Sequence, residues 1–545
     1  MKTPHILFIS VVLIAALAAV DYTAFAQKEI KLEGAPKGMR NKARMPADLL
    51  GDTIIVGAHA VGFLKTDGFA KIYTRRRNQW EATAELIRSD RDKENPGQAS
   101  FGFSVAITGP PGRGDPTYAI VGSPSSGHQG GVAVDGGAAY IFAKTPQKWK
   151  QEAKLIAPDP ASGDGFGWSV DIDSTTAVVG VPKDDDAGSN SGAVFVFVKE
   201  ENAWKQQAKL LARDTARSDS FGEFVALEND TLVIGAPGHT HADIRFAGAA
   251  YVFERQGERW IERAKLTADD AAKSDRFGVS VAIHIDTIIV GSTLNDAGRG
   301  KDAGAAYVYV REGNAWRQHT KLVGDDSRAG DHFGAGVATT GEIAIIGAPL
   351  HEEEGLGSGA AYAFLNTDGV WKETEKIVPD NPVKGLVFGS ATAISRDTVI
   401  VTGGTDEEGA PGFGNGSAAY VYSAEKNFGL PPYAVKPDGL KVTTIGGIKR
   451  TALLQNFPNP FNPETWLPYN LATDSPVSLS IYNVRGHLMR ELDLGSQNAG
   501  NYLSRETAAY WDGKDSFGEG VASGVYFYTL RAGSFQATRR MLVLK

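Results

Sequence analysis

The side chains that could do chemistry are few and scattered in this sequence. None of its ten histidines falls in HExxH spacing or in a nucleophile-elbow context. His239 and His241 form the one close pair. On a strand, positions i and i+2 share a face and could ligate zinc, but these two fall in a loop with no clear third ligand and read as solvated loop histidines. The acidic runs Asp184-Asp185-Asp186 and Glu352-Glu353-Glu354 could gather a hard cation such as calcium, although such runs are also ordinary solvated loops. Arg113-Gly114-Asp115 is a tripeptide that many integrins bind, and in a chain of 545 residues it reads as a chance occurrence. Arg75-Arg76-Arg77 reads as an exposed turn. With no cysteine there is no thiol nucleophile, thiolate metal site or disulfide. No Gly-rich phosphate loop leads from a strand into a helix. A net charge of −8 offers no basic field for nucleic acid or anionic lipid. No cofactor is expected, with calcium at the acidic loops left open.

The elements that must position these residues are set by internal repetition. Phe-Gly recurs at residues 101, 166, 221, 277, 333 and 388, with spacings of 65, 55, 56, 56 and 55. A fixed period of that size reads as a solenoid or propeller. Each period holds four short pieces, seen in one copy as Phe277–Ile283, Thr287–Gly291, Gly304–Tyr309 and Trp316–Leu322. They are rich in β-branched and aromatic residues and bounded by Gly, Asp or Asn, so they predict four antiparallel strands, A to D, forming one blade. About 12% glycine fits the many tight turns this requires. Gly-Ala-Ala before the strand C aromatic lets neighbouring sheets approach.

The B strands, ending at Gly57, Gly122, Gly180, Gly235, Gly291, Gly347 and Gly403, count seven blades, and the C strands run into Tyr73, Tyr140, Phe195, Tyr251, Tyr307, Tyr362 and Tyr420 or their neighbours. Trp-led D strands number only six, at Trp80, Trp149, Trp204, Trp260, Trp316 and Trp371. The missing one is expected at the other end of the chain, where Glu29-Ile-Lys-Leu32 resembles the Ala-Lys-Leu that ends other D strands. Residues near Lys28 to Glu33 should pair with the last blade and close the ring.

The Phe-Gly…Gly-Ala-Pro pattern, as in Phe221-Gly222…Gly235-Ala236-Pro237 and Phe333-Gly334…Gly347-Ala348-Pro349, resembles the FG-GAP repeat of integrin α-subunit propellers, and more closely its bacterial variant. The resemblance covers roughly residues 28 to 423 and implies a propeller fold without implying a function. Integrin-type repeats often bear a calcium loop between strands A and B. Here that connection is a short turn, as in Ile172-Asp-Ser-Thr175, which cannot supply the six to eight oxygens calcium takes.

The termini read differently. Lys2, the apolar run Ile6 to Val20 and Ala24-Phe25-Ala26 fit a secretory signal cleaved between Ala26 and Gln27. No later segment is long and apolar enough to span a bilayer. Residues 427–451 are Gly/Pro-rich and read as a linker, and alternating strands in residues 452–545 suggest an Ig-like β-sandwich. Gln455-Asn456-x-Pro458-Asn459-Pro460-Phe461-Asn462-Pro463, Ile481-Tyr482-Asn483, Trp511-Asp512-Gly513 and Ser523-Gly524-Val525-Tyr526 resemble the C-terminal sorting domain of type IX secretion cargo and the related module of flagellar hook-capping proteins. That resemblance implies an outer-membrane secretion machinery as partner. A buried core tryptophan with a turn aspartate is the expectation for Trp511-Asp512.

The organisation is therefore signal 1–26, propeller 27–426, linker 427–451 and C-terminal domain 452–545: all-β, a seven-bladed propeller followed by a small sandwich. In a four-stranded meander the A–B and C–D turns lie on one face, and the B–C and D–A loops on the other. The B–C loops are long and varied, and variable loops on a rigid scaffold are where recognition resides. The candidate ligand-binding residues are Asp184, Asp185, Asp186, His239, His241, Asp296, Glu352, Glu353, Glu354, Asp406 and Glu407. An aspartate two residues before Phe-Gly, at 164, 219, 275 and 331, is expected to shape a turn. The expected function is non-catalytic binding of an extracellular polysaccharide or surface protein by a secreted or surface-held bacterial protein. The alternatives are a secreted hydrolase or lyase and a structural surface-layer component.

Overall fold

The computed structural model describes residues 30–33, 46–423 and 451–543, apart from 59–67, 77–78, 91–99, 110–116, 125–135, 297, 353–356, 381, 383–384, 396–397, 405–417, 455, 457–463, 503–506 and 534. The signal segment, the linker, Arg77, Arg113–Asp115, Glu353, Glu354, Asp406 and Glu407 lie outside the described residues.

Seven four-stranded antiparallel sheets follow one another along the chain. Blades 1 to 6 span Ala47–Leu86, Ser104–Leu155, Ser169–Leu210, Phe224–Leu266, Ser280–Leu322 and Val337–Ile377. Blade 7 takes three strands from Ala391–Ser423 and its fourth from Ile30–Glu33, which pairs antiparallel with Ala418–Ser423. The ring closes as the sequence predicts. Lys31 stands opposite Tyr420, the register in which Lys154 faces Tyr140 and Lys265 faces Tyr251. The A strands of successive blades touch in a closed circle and form the innermost wall. Across the seam, Leu49, Ile54, Val56 and Tyr73 of blade 1 share a core with Ala393, Ile400, Ala419 and Val421 of blade 7.

The two motifs of the repeat turn out to be one contact. The last glycine of strand B, such as Gly235, lies against the glycine of the next blade's Phe-Gly, Gly278, so closely that a Cβ would strike its carbonyl oxygen. The same holds at Gly57, Gly122, Gly180, Gly291 and Gly347. The Phe-Gly glycines themselves are left-handed, with φ from 86° to 99°. Each phenylalanine packs edge-on or tilted against the strand C aromatic of its own blade, as Phe277 does with Tyr307 at 5.4 Å. Backbone therefore meets backbone between blades, and rings fill the gap beside it.

Blade 1 departs from the expected pattern. Register places Lys71 opposite Glu85 where other blades carry the aromatic and the lysine, and Tyr73 stands two residues further on. Arg75 is no free turn residue: it bonds Asp52 at 2.6 Å and reaches Thr398 of blade 7.

The C-terminal residues form a four-stranded sheet, Leu488–Gln497, Ser475–Asn483, Gly524–Ala532 and Phe535–Val543 in spatial order, with two smaller sheets. Leu467, Tyr469 and Leu471 of the small sheets share one core with Leu479, Ile481, Tyr528 and Met541, making a sandwich. Trp511 is buried there with its indole N–H donated to the Lys514 carbonyl at 2.7 Å, and Asp512 accepts from the Lys514 N–H, as expected. Among the described residues no helix is long and apolar enough to cross a membrane.

Candidate ligand-binding face

The B–C and D–A loops converge on one face, and beneath them three blades repeat a single polar arrangement. In blade 4 the Tyr251 hydroxyl of strand C donates to Asp214 of the D–A loop at 2.8 Å. Lys265 of strand D donates to the other oxygen of Asp214 at 2.7 Å and approaches His239 Nε2 at 2.7 Å. His239 Nδ1 lies 3.0 Å from Asp219, which also accepts the Ala216 N–H at 2.8 Å. Blade 5 repeats it with Tyr307, Asp270, Lys321, Asn295 and Asp275. Blade 6 repeats it with Tyr362, Asp326, Lys376, His351 and Asp331.

Asn295 settles the histidine tautomer. Its amide oxygen accepts from Lys321 at 2.8 Å and its NH2 donates to Asp275 at 2.8 Å. His239 in the same position must likewise accept at Nε2 and donate from Nδ1, so the hydrogen-bond pattern assigns it the neutral Nδ1–H form.

The electrostatics follow from these contacts. Burial, and next the hydrogen bond to Asp214, push the Tyr251 phenol far above its usual range. For Asp214, burial acts upward but is outweighed by the bonds from Lys265 and Tyr251, so its carboxyl is held below the usual range. Asp270 and Asp326 are held down in the same way by Lys321 and Lys376. Blade 2 has a partial version in which Tyr140 and Lys154 meet Asp90. In blade 3 Phe195 has no hydroxyl, and Lys209 turns instead to Asp184 at 2.8 Å and to Asp186.

The structure therefore redistributes the residues singled out by sequence. Asp184 is 5% exposed and joins the lysine network; it is a loop-holding residue rather than an open ligand group. Asp185 and Asp296 are exposed, and each accepts a backbone N–H of its own loop, from Asn190 at 2.6 Å and from Asp302 at 3.1 Å. His239 is 4% exposed, which corrects its reading as a solvated loop histidine. His241 is half-buried, and burial, then Lys265 and His239, push its imidazole below the usual range. Glu352 is exposed. Among the described residues, no three His, Asp or Glu side chains come together as a metal site. Asp164, Asp219, Asp275 and Asp331 each accept the N–H three residues earlier, the turn role expected of them.

The sequence reading missed the tyrosine–aspartate–lysine set. Its signal was present in the recurring Ala-Tyr and Lys-Leu pairs, but their partner aspartate comes from a loop whose spacing to either is not a strand period.

The family model described as FG-GAP repeat matches residues 149–197, 204–253, 260–309 and 316–364. Each match begins at a strand D tryptophan and ends in strand C of the following blade. The sequence repeat thus runs D-A-B-C and straddles two structural blades. No curated protein matches the chain. Residues 149–364 thus carry four FG-GAP repeats, set within a β-propeller of seven four-stranded blades.

Proposed function

We propose that this protein is a secreted, surface-held binding propeller that recognises an extracellular polymer, polysaccharide first and protein second, through its B–C face. The observation that carries this reading is the division of labour on that face. In blades 4, 5 and 6 the tyrosine, aspartate and lysine side chains are the same and bond one another, while the loops above them change in length and sequence. A fixed frame under varied loops is the arrangement of a recognition surface. The reading is non-catalytic because the acids and bases of the frame are committed to each other rather than aimed at a common point. FG-GAP repeats fit an extracellular setting. The C-terminal sandwich, by its resemblance to the Ig-like sorting module, would direct the chain through an outer-membrane secretion machinery.

The test is a binding screen of the full chain on glycan and matrix-protein arrays, with calcium and with chelator. Selective, saturable binding supports the reading, and persistence under chelator removes calcium from it. Erosion of an arrayed polymer would replace it with the enzyme. Silence on every spot, together with ordered self-assembly, would replace it with the surface-layer component.

A further inference from the structure

One backbone position in the B–C loops is shared by four blades. It lies two residues before the glycine that opens strand C, and it is left-handed in every case: Asn190, Phe246, Asp302 and Gly357 have φ of 53°, 56°, 58° and 55°. The next blade's D–A loop fixes it, since the Ser220, Arg276 and His332 N–H groups bond the carbonyls of Asn190, Phe246 and Asp302 at 3.1, 3.1 and 3.3 Å. Asparagine, aspartate and glycine tolerate this conformation, whereas a bulky side chain is strained in it. Blade 4 alone of these four places a phenylalanine there.

The ring does not repay the strain by joining the core: Phe246 is 41% exposed. Ala242 and Asp243 in the same loop are also left-handed, at φ 47° and 67°. The loop is nonetheless firmly held, by reciprocal His241–Ile244 backbone bonds of 3.2 and 2.8 Å and by Gly248 N–H to the His239 carbonyl at 2.9 Å. Below it sits the buried His239 network. Backbone strain maintained by a rigid surround, with an aromatic turned to solvent, marks a position kept for contact rather than for folding.

The surroundings choose the ligand. The Arg245 guanidinium stands 6.0 Å from the Phe246 ring centroid, and Arg245 and Asp243 are both exposed. Among the described residues of this loop and of the next blade's D–A loop, residues 267–279, no other large apolar side chain is exposed. A protein hot spot clusters with others in a well-packed, desolvated pocket ringed by contacts that exclude water. A lone ring with a donor beside it and an exposed acceptor in the same loop suits a sugar instead: the C–H face of a pyranose would stack on the ring, and its hydroxyls would accept from Arg245 and donate to Asp243. We propose that Phe246, Arg245 and Asp243 form a pyranose-stacking site for an extracellular polysaccharide. This inference rests on the binding reading above and names its ligand class and its contact.

The test uses the full chain and two variants. F246N installs the residue blade 3 carries, so it should fold and melt higher, by roughly 1–2 °C. Ile285→Asn relieves the same kind of strain at an A–B turn on the opposite face, where Ile285 has φ 52° and is 44% exposed. Probes are cellohexaose, xylohexaose and laminarin, with immobilised collagen as the protein probe. The expected result is that F246N weakens glycan binding by roughly tenfold or more while Ile285→Asn leaves it unchanged. Equal glycan affinity in F246N and wild type would overturn the site and leave the binding reading standing. Collagen binding lost in F246N, with no glycan bound by wild type, would overturn the sugar assignment. No binding to any probe would overturn both.

Discussion

Replacing Gly235 by alanine isolates the contact that joins neighbouring blades. Gly235 lies within a regular strand, paired with Phe224 on one side and Ala250 on the other, so an alanine meets no backbone strain there. Its Cβ would meet the Gly278 carbonyl oxygen inside the 3.0 Å limit of real Cβ contacts, and would stand 3.1 Å from the carbonyl carbon. The obstacle is backbone, and it cannot turn aside, because the Gly278 N–H is bonded to Gly291 at 2.9 Å. Blade 5 must retreat from blade 4 by roughly 1 Å, and a gap of that size forfeits a quarter to a half of the dispersion attraction along the interface. That interface holds Val233, Ala250 and Val252 against Phe277, Val290 and Tyr307, all buried. The cost should be about 3 kcal/mol or more. Gly257→Ala is the comparison: nothing lies within 4 Å of its Cβ, and only the φ of 65° resists. That substitution should cost about 1 kcal/mol. Urea unfolding followed by the fluorescence of the nine tryptophans reads both. If Gly235→Ala destabilises no more than Gly257→Ala, the blades are not held by this backbone contact.

Deleting residues 30–33 removes every partner of one edge of Ala418–Ser423 and should lower the melting temperature sharply; an unchanged melting curve would refute the closure. Ile285→Asn should stabilise by about 1 kcal/mol, because the equivalent turn position in blade 4 carries Asn229, a residue that tolerates φ near 50°, and no gain in urea would refute the strain. Asp171 and Asp48 on the inner strands are raised from 3.8 to about 8 and about 6, chiefly by burial and, for Asp171, next by the Asp48 charge. The folded chain therefore holds protons that the unfolded chain has released, and stability should fall as pH rises from about 4 to about 8. Asp171→Asn should weaken the fold at pH 4, through one lost N–H acceptor, and lose that disadvantage by pH 9; a pH-independent gap would contradict the assignment. Lys265→Met should leave Asp214 with the Tyr251 hydroxyl as its remaining side-chain donor and make the fold more acid-stable relative to its neutral value than wild type, since a carboxyl held down by its lysine gives stability that is lost as pH falls below 3.8.

Blade number, strand order and ring closure were legible because they depend on periods along the chain. Phe-Gly and the strand B glycine recur at nearly constant spacing, and the Lys31 register follows from Lys-Leu alone. What the sequence concealed depends on partners brought together from different loops. His239 looks like a loop residue until Asp219 and Lys265 enclose it from twenty and twenty-six residues away. Asp184 looks like an open acid until Lys209 arrives from strand D. In blade 1 aromatic spacing alone pointed to Tyr73, because only pairing reveals that Lys71 and Glu85 occupy the aromatic–lysine positions. The Phe246 misfit needed φ values, which composition does not encode.

The seam also decides how the molecule carries load. The strand that leads out of the propeller, Ala418–Ser423, lies between two antiparallel neighbours, Thr398–Gly403 and Ile30–Glu33. Tension applied at Ser423 draws this strand lengthwise, so both rows of hydrogen bonds are sheared together instead of parting one by one. Tension applied between Ile30 and Ser423 acts differently, because Ile30 faces Val421 and the two ends emerge side by side; that pull peels the pair from its open end. Under the proposed function, a propeller gripping a polymer by its loops and held through its C-terminal side would meet the first kind of force, and the borrowed strand would then serve as its second row of rivets.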